Sequence, residues 1–116
     1  MLPTSSAYSQ AVKVGGFIFV SGQLGLNPAT QQIIGGDARQ QTERVLQNIA
    51  AILKAAGSNL DKALRRGVYL KNMNGFDAMN DVYGKIFGSH PPARTTVGAA
   101  RLPKDSLVQI DAIALE

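Results

Sequence analysis

The sequence predicts an α+β fold: one mixed β-sheet with two helices packed on a single face, in the order β-β-(short β)-α-β-α-β-β. Three observations predict it. Residues 37–57 and 74–88 carry apolar side chains at three- and four-residue steps, the period of a helix with one buried face. The segments around them are shorter, rich in β-branched and aromatic residues, and alternate with a period of two. No linker, repeat or low-complexity stretch divides the 116 residues, so a single domain is expected over 1–116. Two helices sharing one side of a sheet leave its other face bare, and symmetric association of copies is the simplest cover.

Taken in order, VKVGGFIFVSGQLGL reads as strand, turn, strand, with Gly15-Gly16 as a two-residue hairpin loop and the sheet edge starting near Tyr8. NPATQQIIGG, residues 27–36, is turn-rich at both ends and reads as a loop with a short extended piece at 32–34. From Asp37 the period changes: Val45, Leu46, Ile49, Ile52, Leu53 and Ala56 mark one face of a helix of about five turns. Asp37 with Gln40 makes a capping box, and Gly57 supplies the stop. Residues 63–72 return to strand chemistry, with Val68 and Leu70 on one face and Tyr69 on the other. A second helix opens at Asn74 as cap, with Asp77 three positions on, turns Phe76, Met79, Val82, Tyr83, Ile86 and Phe87 toward the core, and closes at Gly88. After His90-Pro91-Pro92, RTTVGAA and LVQIDAIAL form two further strands joined by RLPKDS.

Composition removes several function classes. With no cysteine there is no disulfide framework, thiolate zinc site or cysteine nucleophile, and the single histidine, His90, cannot build a metal site alone. A net charge of +4 and a pI near 9.7 suit anionic partners. The basic residues are scattered, though, at Lys13, Lys54, Lys62, Lys71, Lys85 and Lys104, with only Arg65-Arg66 adjacent, so this charge reads as solubilising and not as a nucleic-acid track. No apolar run approaches the roughly 20 residues of a membrane span. The opening MLPTSSAYSQ lacks the pattern of a signal peptide. The expected location is the cytoplasm, or the mitochondrion where a presequence has been removed. GGFIFVSGQLG is no dinucleotide fingerprint, because its glycines flank a strand and do not open a helix.

Three places depart from their surroundings. Arg94 starts a strand of small and β-branched residues, where its planar fork either grips a carboxylate or ends in an edge-strand ion pair. Asp111 interrupts an apolar strand and must face a cation or a water pocket, be exposed at the sheet edge, or pair with Arg94 or Arg101. Ser21-Gly22-Gln23 follows FIFV, offering a hydroxyl and a glycine that lets a ligand approach the backbone, or simple turn chemistry. Tyr69 and Tyr83 read as packing.

Together AYSQAVKVGGFIFVSGQLGLNP, VYLKNMNGFDAMNDVYGKIFG and above all PPARTTVGAARLPKDSLVQIDAIA resemble the reactive intermediate deaminase (Rid, YjgF) family, over residues 8 to 114. The resemblance implies a chorismate-mutase-like α+β fold assembled as a homotrimer, with sites in the clefts between subunits. It implies hydrolysis of short 2-imino or enamine acids, such as 2-iminopropanoate and 2-iminobutanoate, to 2-keto acids and ammonia, with no cofactor and no metal. Such imines are released upstream by pyridoxal-phosphate enzymes. Carried over residue by residue, Arg94 grips the substrate carboxylate, Asp111 holds the attacking water, and Tyr8, Ser21, Gly22, Asn80 and Thr96 line the pocket. Two positions depart from the deaminating pattern: Asp111 and Gln109 stand where those relatives commonly have glutamate, and Asp111 is one methylene shorter. The same resemblance leaves two other readings, a non-catalytic trimer that binds small carboxylates and an RNA-directed ribonuclease or translation inhibitor. Scattered basic residues and 6% aromatic content disfavour the second.

Overall fold

The chain opens on a hairpin. Strand β1 (Ala11–Val14) pairs antiparallel with β2 (Phe17–Gln23), and Val14 meets Phe17 across Gly15 and Gly16. Both glycines have positive φ, 59° and 85°, the combination that lets a two-residue loop follow the twist of its strands. The computed structural model describes residues 9–87 and 90–116, so the expected sheet start at Tyr8 and helix stop at Gly88 lie outside the described residues.

Helix α1 (Ala38–Ala55) then crosses the sheet, followed by β3 (Ala63–Leu70), α2 (Phe76–Phe87), β4 (Ala93–Gly98) and β5 (Val108–Leu115). The strand order is β1-β2-β5-β3-β4. β5 runs antiparallel to both β2 and β3, whereas β4 lies parallel to β3. A parallel neighbour requires a crossover, and α2 is that crossover. The result is the expected mixed sheet in an α+β arrangement.

Alternation along the strands sorts the side chains. Ile18, Val20, Val68, Leu70, Val108 and Ile110 turn inward to meet Val45, Leu46, Ile49 and Leu53 of α1 and Met79, Tyr83 and Phe87 of α2. Burying each large aliphatic side chain is worth about 1.5–3 kcal/mol, so this layer is what holds helices to sheet. Among the described residues the opposite face has no such cover: Val12, Val14, Phe17, Phe19, Val97 and Leu115 remain 40–59% exposed.

The capping box of α1 is present, with the Asp37 carboxylate accepting from the Gln40 N–H at 2.9 Å and the Gln40 side chain accepting from the Asp37 N–H at 3.1 Å. Gly57, with φ 86°, follows its end. Three expectations need correction. Ile86, expected to face the core, is 38% exposed, because the buried face of α2 runs through Met79, Val82, Tyr83 and Phe87. The cap before α2 is Asn72, not Asn74: its side chain accepts from the Asn74 N–H at 2.9 Å and starts a 3-10 turn, Met73–Gly75, that leads into the helix. Asn72 still has extended backbone, which a cap needs, while Asn74 is already inside the turn. Residues 32–34 add no strand and form only a single bridge, Leu26 with Ile33. A positive φ at Gln31 and the glycines 35 and 36 bend the segment away from the sheet.

That loop is held from below by Asn48 of α1, which is buried and donates from Nδ2 to the carbonyls of Leu24 and Leu26 at 3.2 and 2.9 Å. Asn48→Ala would leave the Leu26 carbonyl without its donor and the Leu24 carbonyl with only the Leu26 N–H, and urea unfolding should show a loss of about 2 kcal/mol. Removing the α1 cap by Asp37→Ala should cost about 1 kcal/mol in the same measurement.

Candidate functional site

The tripeptide Ser21-Gly22-Gln23 is a β-bulge. Val20 pairs with Ala112 and Gln23 with Ile110, so Ser21 and Gly22 together oppose the single residue Asp111. Its polar groups are satisfied locally: Ser21 Oγ donates to the Ser9 carbonyl at 2.6 Å, and Gln23 Nε2 donates to the Ser21 carbonyl at 2.9 Å. Glycine at 22 leaves room for the Gln109 side chain, whose amide nitrogen would lie 2.5 Å from a Cβ there.

On the far side of Asp111 lies β3. The Gly67 N–H donates to Asp111 Oδ1 at 2.8 Å and the Tyr69 hydroxyl donates to Oδ2 at 3.1 Å, while Arg65 stands 3.8 Å away. A Cβ at position 67 would lie 2.7 and 2.9 Å from the two carboxylate oxygens, so Gly67 is what lets the carboxylate lie against the strand. The carboxylate charge and its hydrogen bond favour the neutral phenol and push the Tyr69 pKa up. Asp111 pairs with neither Arg94 nor Arg101: its cation is Arg65, and Arg101 binds Asp105 through two contacts of 2.9 and 3.3 Å. Cross-strand register, invisible in a linear reading, decides this.

Arg94 is anchored elsewhere. Its Nη1 donates to Asn80 Oδ1 at 2.8 Å, and its guanidinium lies 4.7 Å from the Tyr83 ring centroid and 5.6 Å from that of Phe76. One hydrogen bond and two rings fix the plane of the fork. Among the described residues no carboxylate forms an ion pair with it. Thr96, two residues along the same face, has a buried hydroxyl with no hydrogen-bond partner among the described residues. Beside Arg94 in register stands Arg66, fully buried with its guanidinium 4.8 Å from the Phe87 centroid. Loss of water lowers the Arg66 pKa to about 10, with Tyr83 and Asp111 opposing the shift. Burial raises the Tyr83 phenol, and the two arginines oppose that.

The pairing separates these groups into two sets. Arg94 aligns with Arg66 and, through it, with Ala112, all on the helix side. Asp111 aligns with Gly67 and Thr95 on the open side. One chain therefore brings together Ser21, Gly22 and Asp111 on one face, and Arg94, Asn80 and Thr96 on the other, with the sheet between them. Tyr8 lies outside the described residues. Sequence reasoning missed Gly67, Tyr69, Tyr83 and Arg66 as members of these clusters. For Arg66 a signal existed: it shares the parity of Val68 and Leu70, which are buried. Among the described residues no group of three His, Asp or Glu side chains could hold a metal ion, and no helix is long and apolar enough to cross a membrane.

Comparison with known proteins places this geometry. The family model described as Endoribonuclease L-PSP matches residues 2–116. A RutC family protein of Pyrococcus abyssi is 51% identical over 107 residues, covering 92% of this chain and 84% of that one. The 2-iminobutanoate/2-iminopropanoate deaminase of Dermatophagoides farinae is 38% identical over 108 residues, covering 93% and 84%. The crystal structure of RidA from the Antarctic bacterium Psychrobacter superposes with a TM-score of 0.93 at 38% identity, covering 99% of this chain and 94% of that one. The chorismate-mutase-like arrangement expected from the sequence is the fold of these structures.

The Asp111–Tyr69 contact gives a pH signature. Tyr69 should titrate above 10.0 in the folded protein and move back toward 10.0 in Asp111→Asn, read from phenolate absorbance with Tyr69→Phe identifying the step. A phenol that holds its proton more tightly when folded contributes stability below the unfolded pKa. That contribution is lost as pH rises through the folded pKa.

Proposed function

This chain belongs to the Endoribonuclease L-PSP (RutC, Rid) family, and we propose that it hydrolyses short 2-imino acids, such as 2-iminopropanoate and 2-iminobutanoate, to 2-keto acids and ammonia. The observation that carries the reading is Arg94, a guanidinium fixed by Asn80 and Tyr83 and without a carboxylate partner among the described residues. A fork so held matches a substrate carboxylate through two parallel hydrogen bonds. The deaminase name of the Dermatophagoides relative supports the same chemistry.

The reaction needs little from the protein beyond orientation. A protonated imine is electrophilic at C2, water adds there, and the tetrahedral adduct expels ammonia as the carbonyl forms. Asp111 orients the water and accepts its proton, contributing general-base catalysis of about 10²–10⁴-fold. Since the sheet separates Arg94 from Asp111 within one chain, the site is composite: Arg94, Asn80 and Thr96 come from one copy, and Ser21, Gly22 and Asp111 from its neighbour. The apolar residues left exposed on the open face supply the contact between copies, and a closed homotrimer presents three such sites.

A second reading has its own observation. The Asp111 carboxylate already accepts from Gly67 and Tyr69, which suits a trimer that binds 2-keto acids without turnover. The two are separated by supplying imine from an amino-acid oxidase in the presence of semicarbazide. The hydrolase reading expects wild type to suppress semicarbazone formation, and Arg94→Ala to lose on the order of 10²-fold in kcat/KM, the value of a lost charged hydrogen-bond pair. Asp111→Asn should lower kcat while keto-acid binding persists. Full semicarbazone yield beside wild type that still binds 2-oxobutanoate would favour the binding trimer. Sedimentation of wild type as a monomer would remove the composite site.

A further inference from the structure

The helix side of the sheet holds a second guanidinium that imine hydrolysis leaves unused. Arg66 is 0% exposed and, among the described residues, forms no ion pair; its side-chain neighbours are the Tyr83 hydroxyl and the Phe87 ring. It stands in β3 directly beside Arg94 of β4, on strands about 4.8 Å apart, and the alternation that turns Arg94 toward α2 turns Arg66 the same way. Arg66 rests on Phe87 at 4.8 Å, Arg94 on Tyr83 at 4.7 Å, and these two ring centroids are 4.7 Å apart. The Tyr83 hydroxyl, which favours the charged form of Arg66, and the buried Thr96 Oγ1 lie in the same layer. Two cations and a set of hydroxyl donors thus share one space. The ion pairs among the described residues all involve other cations. The acid whose charge reaches Arg66, Asp111, is on the opposite face.

A buried charge without a partner destabilises a fold, and substitution by an apolar residue of similar volume often stabilises it. Like charges in a region of low dielectric also repel more strongly than in water. Both penalties fall on the empty protein. A carboxylate docking on Arg94 brings a negative charge into this layer and relieves the repulsion between the two guanidiniums while making its own bonds. Whatever binds the folded form in this way stabilises it in proportion.

We propose that Arg66 is a positioning residue of the carboxylate site, a buried charge without an ion pair that strengthens the hold of Arg94 on small 2-keto and 2-imino acids while destabilising the unliganded protein. The inference rests on the reading of Arg94 as the carboxylate anchor.

The test compares wild type, Arg66→Met, Arg66→Lys and Arg94→Ala by calorimetric titration with 2-oxobutanoate and by thermal melting with and without it. Arg66→Met should melt above wild type when empty, bind 2-oxobutanoate on the order of 10-fold more weakly, and gain less from the ligand in Tm. Arg66→Lys, which keeps the charge, should restore most of the affinity. In turnover, Arg66→Met should raise KM with kcat nearly unchanged. Arg66→Gln gives the same comparison with a polar neutral side chain should the methionine variant not fold. Equal affinity in wild type and a folded neutral variant overturns the inference while leaving Arg94 as anchor. So does a neutral variant that melts below wild type and whose affinity lysine does not rescue. If wild type binds no 2-oxobutanoate, or Arg94→Ala binds it equally well, the anchor reading falls and takes this inference with it.

Discussion

Strand β5 is bonded on both sides, to β2 and to β3, and its strict period of two decides where the rest of the chain can place its chemistry. Val108, Ile110, Ala112 and Ala114 face the helices and are buried, while Gln109, Asp111 and Ile113 face the other way. An aspartate is tolerated in so apolar a strand because its two neighbours carry the packing and it does not. The same arithmetic holds one strand further out, where Val68 and Leu70 pack inward and Gly67 and Tyr69 receive the Asp111 carboxylate. Core and polar row are interleaved residue by residue, so neither can be shifted without moving the other.

On the proposed reading, this interleaving leaves the single chain chemically incomplete. Its cationic group and its acidic group look out from opposite faces of the sheet, a consequence of β4 lying in register with β3. On the proposed reading, association then serves two ends at once: it covers apolar side chains that would otherwise meet water, and it brings the acid of one copy to the cation of the next. Folding, assembly and function would be linked through one surface.

Much of the fold was legible because its signals are local. Gly15-Gly16 sets the hairpin, Asp37 with Gln40 sets the start of α1, and the two apolar periodicities identify both helices. The misplaced cap of α2 is a competition within three residues, where two asparagines offer the same hydrogen bond and backbone conformation selects Asn72. What sequence could not give was pairing. Asp111 meets Gly67 across 44 positions and Tyr69 across 42, and no spacing rule relates them. Arg94 and Asp111 are each conspicuous in the chain, but only the register between strands reveals that they point apart. Arg66 was readable in principle from its parity, yet adjacency to Arg65 made it look like ordinary surface charge.

The bulge in β2 acts as a change of phase. Before it, odd-numbered Phe17 and Phe19 face outward; after it, odd-numbered Gln23 is buried opposite Ile110. The two halves of the strand therefore obey opposite parity rules, joined at Ser21 and Gly22. Loss of either residue would leave one residue opposite Asp111 and restore a regular ladder with both halves on their present faces, so the extra residue serves the local bend that sets Ser21 and Gly22 beside Asp111 and not the placement of the core.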